Sequence, residues 1–437
     1  MDAKFSADLT RTGPGTVMGD FMRQYWIPAL KSDELKADGD PMRLMLLGEK
    51  LVAFRDSGGR VGVMDQRCPH RCASLFLARN EQNGLRCIYH GWKFDIDGRC
   101  VDMPNVPADK DFKQRVKARA YKTHEANGLV WVYMGVQDNI PALPVIDAAY
   151  LDDLELVFVQ RDCNWMQALE GDIDTSHLGF LHLGSLDPED IPKGHHLEYT
   201  ITPRTPEFEV SETPCGTMYG AFKQVDENNM YWRCAHFMFP FWTQTPAGAF
   251  RDNIQARAWV PIDDEHTMTI WLRKRELRGS SRALKGGKTL PGSRPRPEFL
   301  PNDTGWLGRW RLLAQEKNDW LIDREAQRNN VIYSGIDNIG LQDQAVTESM
   351  GSITDHAWEH LGAGDKMVAC TRLRAVEAAR QFRESGVAPP GIDNPGLFLE
   401  ARGGFFTAPL TLKWPEVYRL QMESVQRPEG LSTTLTR

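Results

Sequence analysis

The sequence predicts an α+β fold in two domains, and three observations carry that expectation. Residues 42–140 are a run of short apolar segments broken by turn residues, the pattern of an all-β unit. The stretch QDNIPALPVID has two prolines and no helical period, which marks a boundary between Asp138 and Pro144. Beyond it a second β-rich region, Glu198 to Lys274, is followed by segments of helical period, an antiparallel sheet with helices. The expected division is 1–41, a helical or extended segment packing on the second domain, then 42–140 and 141–437.

The elements follow in order. RLMLLGEKLVAFRDSGGRVGVMD reads as short strands broken by Gly48 and by the Ser57-Gly58-Gly59 turn. GWKFDIDGRCVDMP alternates around an Asp97-Gly98 hairpin signal, and GLVWVYMGV has the composition of a buried strand. LELVFVQRDCNW is strand-like and passes into MQALEGDIDTSHLGFLHLG, which has helical character. Arg275 to Asp303 is basic and rich in Gly, Pro and Ser, and is expected as a mobile loop or lid. Trp306–Asn329 and Leu341–Met350 read as helical, and DKMVACTRLRAVEAARQFRES as a helix stopped by Gly386.

Composition excludes several classes. The chain has 437 residues, with 52 Lys plus Arg against 59 Asp plus Glu, a net charge of −7 that argues against a nucleic-acid-binding face. No apolar run approaches the roughly 18 residues of a membrane span, and the polar Met1–Gly15 lacks a signal-peptide core. A cytoplasmic protein is expected. Its eight cysteines are then free thiols or metal ligands rather than disulfides.

Three of those cysteines fall between Cys68 and Cys87, interleaved with His70 and His90. The pairs Cys68-x-His70 and Cys87-x-x-His90 are separated by 16 residues. A zinc finger places its cysteines together and its histidines after them. Here each half supplies one of each. That suits a [2Fe–2S] cluster in which two thiolates hold one iron and two imidazoles the other. Neutral imidazoles leave the cluster less negative and raise its potential. A second constellation is Asp174-x-x-His177-x4-His182. On a helix Asp174 and His177 share a face, whereas His182 does not align, so Gly179 is the expected place for a bend. Two neutral histidines and a carboxylate would make a facial triad for Fe(II) with open positions.

The first motif, continuing as C-x-x-H-G-W-x-F over Cys87–Phe94, resembles the Rieske signature in its oxygenase form. With the second motif, nearly the whole chain resembles the oxygenase (alpha) component of the Rieske non-haem iron oxygenases, in the phthalate dioxygenase-like branch. TGPGTVMGDFMRQYWIPAL, CPHRCASLFLARN and QDQAVTESMG carry that likeness. Cys72 departs from the signature and is read as a structural thiol.

The resemblance implies a helix-grip-like catalytic sheet and a [2Fe–2S] cluster on Cys68, His70, Cys87 and His90. It also implies a mononuclear Fe(II) on His177, His182 and a distant carboxylate, Asp343, with Glu348 and Asp355 as nearby rivals. Asp174 would bridge the centres, accepting hydrogen bonds from His177 and from His90 of a neighbouring subunit, in a homotrimer or a hexamer of stacked trimers. The chain shows no dinucleotide fingerprint, so electrons would come from a separate NADH-dependent flavin/[2Fe–2S] reductase. The implied reaction is O2-dependent hydroxylation of an aromatic carboxylate, phthalate-type dioxygenation, with O-demethylation of a methoxylated aromatic acid as the alternative. An anionic substrate calls for a pocket arginine: Arg233, Arg251 or Arg257. Asn164 and His236 are further pocket candidates, the latter within the aromatic-rich Cys234–Phe250. A Rieske electron carrier, the competing class, would need only one small domain.

Overall fold

The computed structural model describes residues 1–201, 205–275, 284–429 and 431. Two short helices open the chain, α1 (Ala3–Thr10) and α2 (Val17–Met22), capped by Asp2 and Thr16 side chains that accept from Phe5 and Gly19 N–H. Then come β1 (Trp26–Lys31), β2 (Met42–Leu46), β3 (Glu49–Arg55) and β4 (Val61–Asp65). The short strands β5 (Arg79–Asn80), β6 (Leu85–Arg86), β7 (Lys93–Phe94) and β8 (Cys100–Asp102) form a small sheet of their own. β9 (Ala120–Ala126) and β10 (Leu129–Tyr133) close a six-stranded antiparallel sheet of order β1-β10-β9-β4-β3-β2. The breaks at Gly48, Ser57–Gly59 and Asp97-Gly98 fall between strands, as expected.

The C-terminal part begins with β11 (Leu154–Arg161), followed by α3 (Trp165–Ile173), α4 (Leu178–Leu181) and α5 (His196–Ile201). Strands β12 (Glu207–Thr213), β13 (Gly216–Gln224), β14 (Asn229–Met238), β15 (Trp242–Gln244), β16 (Gln255–Pro261) and β17 (Thr267–Lys274) follow. With β18 (Gly404–Pro409) on β14, they make an eight-stranded antiparallel sheet of order β11-β17-β16-β15-β14-β13-β12. After α6 (Arg324–Arg328) come α7 (Ile339–Glu348), α8 (Lys366–Ser385) and α9 (Glu416–Met422). α8 ends at Gly386 in the left-handed conformation, as its sequence predicts. Helices α3 and α8 pack on the large sheet, and α1 and α2 pack on α8. Of residues 1–41, the helices therefore join the C-terminal part while β1 pairs with β10.

Four expectations need correction. The 165–182 segment is two helices, because the chain leaves helical geometry at Asp174 (φ −107°, ψ 110°), not at Gly179. The second β-rich region opens with α5, and its strands start at Glu207. Trp306–Asn329 holds only a 3-10 segment and α6. Trp310, Asp319, Trp320 and Leu321 take positive φ there, and Trp310 and Trp320 are drawn into neighbouring apolar clusters, so packing overrides helical propensity. Of the expected lid, 276–283 lies outside the described residues. Leu284 and Leu290 beyond it are buried against Leu183, Leu186, Ile191 and Leu197, so that portion is anchored to the fold at two points although Lys285–Thr289 between them are exposed.

Candidate active site

The two Cys/His loops are closed in the same way. Cys68 N–H donates to Ala73 O and Cys87 N–H to Trp92 O, both at 2.8 Å. Cys72 N–H returns to Cys68 O at 2.8 Å and Gly91 N–H to Cys87 O at 2.9 Å. Cys72 (φ 59°) and Gly91 (φ 77°) thus occupy equivalent left-handed positions. This corrects the reading of Cys72 as a structural thiol: it is an exposed turn residue.

The loops bring four donors together. Cys68 and Cys87 are 1% and 3% exposed, and the His70 and His90 rings lie 4.4 Å apart. His70 stacks on Trp92 at 4.3 Å. His90 Nδ1 is buried and has no hydrogen-bond partner. Burial pushes the Cys68 thiol up, and a bound iron would offset that cost by stabilising the thiolate. Two buried sulfurs and an orphaned inward imidazole nitrogen fit a cluster held by two thiolates and two imidazoles.

The second site is built by helix ends. Asn164 N-caps α3, its Oδ1 accepting from Met166 N–H, while its Nδ2 donates to Thr10 O (2.9 Å) and Asp264 O (2.7 Å). At the other end of α3, Asp174 Oδ1 accepts from Ser176 N–H (2.7 Å) and Ser176 Oγ (2.5 Å). Its Oδ2 lies 3.4 Å from His177 Nδ1. His177 and His182 flank the single turn of α4, which makes their i, i+5 rings converge. Their Nε2 atoms are 3.2 Å apart. Asp343, from α7, brings Oδ1 to 3.0 Å from His182 Nε2 and 3.7 Å from His177 Nε2. Three ligand atoms at right angles around one ion, with bonds of about 2.1 Å, lie roughly 3.0 Å apart. The triangle fits a facial triad, and it is the one cluster of this kind among the described residues.

Electrostatics agree with that donor set. Burial drives the Asp343 carboxyl upward, but His182 and then His177 outweigh it and hold it well below the usual range. For His177 burial opposes the charge, and Asp174 and Asp343 overcome it.

Comparison with known proteins agrees with this pair of centres. The Rieske [2Fe-2S] domain family matches residues 25–121, and the LigXa C-terminal domain like family matches 132–395. The chain is 46% identical over 429 residues to the 3-chlorobenzoate-3,4-dioxygenase oxygenase subunit of Comamonas testosteroni, covering 97% of this chain and 99% of that one. The chain belongs to the Rieske non-haem iron oxygenases. This Rieske oxygenase is 36% identical over 387 residues to the phthalate 4,5-dioxygenase oxygenase subunit of Pseudomonas putida, with 86% and 85% of the two chains covered. The fold is shared with NdmA of Pseudomonas putida CBB5, at a TM-score of 0.52 and 19% identity over 86% of this chain and 96% of that one. As an oxygenase component it carries a [2Fe–2S] cluster and a mononuclear iron and depends on a separate reductase. Among the described residues no helix is long and apolar enough to cross a membrane.

The remaining candidates separate cleanly. Glu348 points away from the triad, accepting from Trp320 Nε1 (2.6 Å), Gln344 Nε2 (2.7 Å) and Asp162 N–H (3.0 Å). Asp355 is exposed. Asn164 is spent on its cap and tethers. Arg257 pairs with Asp172, which also accepts from Thr243 Oγ1, and lies over Trp271 at 4.2 Å. Arg251 is exposed on the turn between β15 and β16. Arg233 and His236 sit on β14 at odd spacing, so they face opposite sides of the sheet. Arg233 reaches Thr175 on the α3 side, with Nε donating to Oγ1 at 3.0 Å. His236 packs against Tyr418 of α9 on the other side. Sequence reasoning missed Ser176 and Gln342. Asp-x-Ser is a local side-chain-to-backbone turn signal that could have flagged the first. Gln342 beside Asp343 carries no such signal.

Proposed function

We propose that this oxygenase component hydroxylates an aromatic carboxylate by phthalate-type dioxygenation, and that Arg233 binds the carboxylate. The observation that carries this reading is a guanidinium in an unusual state. Arg233 is 8% exposed, its side-chain partners Thr175 and Tyr231 are both neutral, and no carboxylate pairs with it among the described residues. A buried cation without an anion is costly, and an anionic ligand relieves that cost. Thr175 lies between Asp174 and His177 in sequence, so the guanidinium stands against the turn that presents the triad. Arginine suits a carboxylate because its fork matches two oxygens.

In this reading Cys68, His70, Cys87 and His90 hold the cluster, and His177, His182 and Asp343 hold the iron. The two metal centres supply one-electron delivery and O2 activation. Asp174 accepts a hydrogen bond from His177 Nδ1–H and, in a homotrimer or stacked-trimer hexamer, bridges to His90 of a neighbouring subunit. Ile88 and Tyr89, exposed beside His90 at the loop tip, are apolar groups that such a contact would cover. The system is cytoplasmic, and the reductase is an NADH-dependent flavoprotein with its own [2Fe–2S] centre. The chain divides at 42 and 141 into an N-terminal segment, whose β1 joins the sheet of the cluster domain, a cluster domain and a catalytic domain.

The test is oxygen uptake over a panel of aromatic carboxylates with a surrogate reductase, with product mass spectrometry. A dihydrodiol is expected, and phenol plus formaldehyde would assign O-demethylation instead. Arg233→Met should lower kcat/KM for the carboxylate roughly 10- to 100-fold, the value of a hydrogen bond to a charged group, mainly through KM. Unchanged kinetics in that variant, or turnover of neutral aromatics alone, sinks the assignment.

A further inference from the structure

Gln342 precedes the triad carboxylate and is 1% exposed. Its side-chain nitrogen donates to two backbone carbonyls, Ile336 O at 2.7 Å and Gly292 O at 3.1 Å. Two carbonyl partners need the NH2 group at that end, so the amide cannot be turned round without facing oxygen against oxygen. Its Oε1 therefore faces His182 Nδ1, at 2.7 Å. An acceptor there requires the His182 proton on Nδ1, which leaves Nε2 with a lone pair. That bare nitrogen is the atom 3.0 Å from Asp343 Oδ1. The opposite tautomer would put a proton between the two ligand atoms.

The amide is also anchored at its far end. Gly292 has φ +69°, and a Cβ there would come within 2.6 Å of Gln342 Nε2. Two residues on, Arg294 O accepts from Asn338 Nδ2 at 2.7 Å, and Asn338 N-caps α7 through Leu341 N–H. The segment around 292–294 is thus clamped to the helix that carries Asp343.

We propose that Gln342 is a positioning residue for the iron site: it selects the His182 tautomer that leaves Nε2 free for the metal and ties that imidazole to the Gly292 segment. The inference rests on the reading that His177, His182 and Asp343 hold the iron. It adds a neutral amide as the orienting partner of His182, where His177 has the carboxylate of Asp174.

The test compares Gln342→Leu and Gln342→Glu in the full chain, with the cluster intact and the mononuclear iron removed by chelation. Fe(II) is then added back and its dissociation constant read by equilibrium dialysis, with the EPR signal of the NO adduct as a second readout. Losing the acceptor should weaken Fe(II) binding roughly 10- to 100-fold in Gln342→Leu and alter the NO-adduct line shape. Gln342→Glu loses both donors and sets an oxygen against Ile336 O and Gly292 O, but it keeps the acceptor toward His182, so it should weaken Fe(II) binding less than Gln342→Leu does. Wild-type affinity in Gln342→Leu overturns the proposal. Equal weakening in both variants also overturns it, because the amide would then only hold the loop through its donors. If either variant loses its cluster absorbance, Gly292→Ala decides: its Cβ displaces the amide, so a several-fold weaker site supports the proposal and an unchanged one overturns it. Asp343→Ala separates the underlying reading, since wild-type Fe(II) affinity there would sink the triad itself and not the role of Gln342.

Discussion

In the Cys/His loops each donor hangs from a backbone turn: Cys68 to Ala73 and Cys87 to Trp92 are closed by main-chain hydrogen bonds, and short hairpins surround them. The triad is held differently. Its members come from the two ends of α4 and, some 160 residues later, from α7, and they are oriented by side chains, Asp174 for His177 and Gln342 for His182. A site made by main-chain turns is specified by a few contiguous residues. A site made by side-chain networks is specified by residues scattered along the chain that meet only in the folded structure. The two sites should therefore fail in different ways.

The largest effect should come from removing a donor at each. Cys87→Ser leaves Cys68, His70 and His90 facing an incomplete pocket inside the small apolar cluster of Leu75, Leu85, Trp92 and Phe94. It should abolish the visible cluster spectrum and lower the melting temperature, because metal binding and folding are linked there. Asp343→Ala should lose mononuclear iron while leaving the cluster spectrum and the main unfolding transition nearly unchanged. Loss of the cluster in Asp343→Ala would break the comparison, since it would make the two sites one cooperative unit.

A smaller effect, on rate rather than composition, should follow from Asp174→Asn. The shape and the Ser176 contacts can persist, while the charge that faces His177 is gone. Both metal centres should be retained by metal analysis, with steady-state turnover down by at least roughly tenfold. Wild-type turnover would remove Asp174 from any role between the centres.

The same difference explains what was legible before the structure. The loops could be read because ligands, turn residues and strands all lie within 30 residues or so of one another, and local turn chemistry is a local property. His177 and His182 were visible as a pair, but their convergence depends on a helix break at Asp174 that periodicity does not reveal. Asp343 came from resemblance, since nothing in its own surroundings distinguishes it from Glu348. Arg233 and His236 illustrate a finer limit. Both lie in the expected second β-rich region, yet which face each takes follows from the register of β14 against β13, and that needs the tertiary pairing. Trp306–Asn329 failed for a related reason: Trp310 and Trp320 are drawn into apolar clusters formed with residues remote in sequence, at the cost of helical geometry.

The smallest prediction isolates the backbone argument within one of the two regions. Gly91 and Cys72 hold equivalent left-handed positions in the paired loops, so exchanging side chain and hydrogen at each should have opposite consequences. Gly91→Ala adds a Cβ at φ +77° that would meet Pro104 Cγ at 2.6 Å. It should destabilise the cluster by about 1–3 kcal/mol, read as an earlier midpoint of cluster bleaching in denaturant. Cys72→Gly removes strain of about 1–2 kcal/mol and adds roughly 0.4–1 kcal/mol of unfolded-chain entropy. The net should be neutral to about 1.6 kcal/mol stabilising, and, because Cys72 is exposed, no packing is lost to offset it. If Cys72→Gly instead lowers the midpoint as far as Gly91→Ala does, the thiol contributes to the loop through its side chain, and the equivalence of the two turns fails at that position.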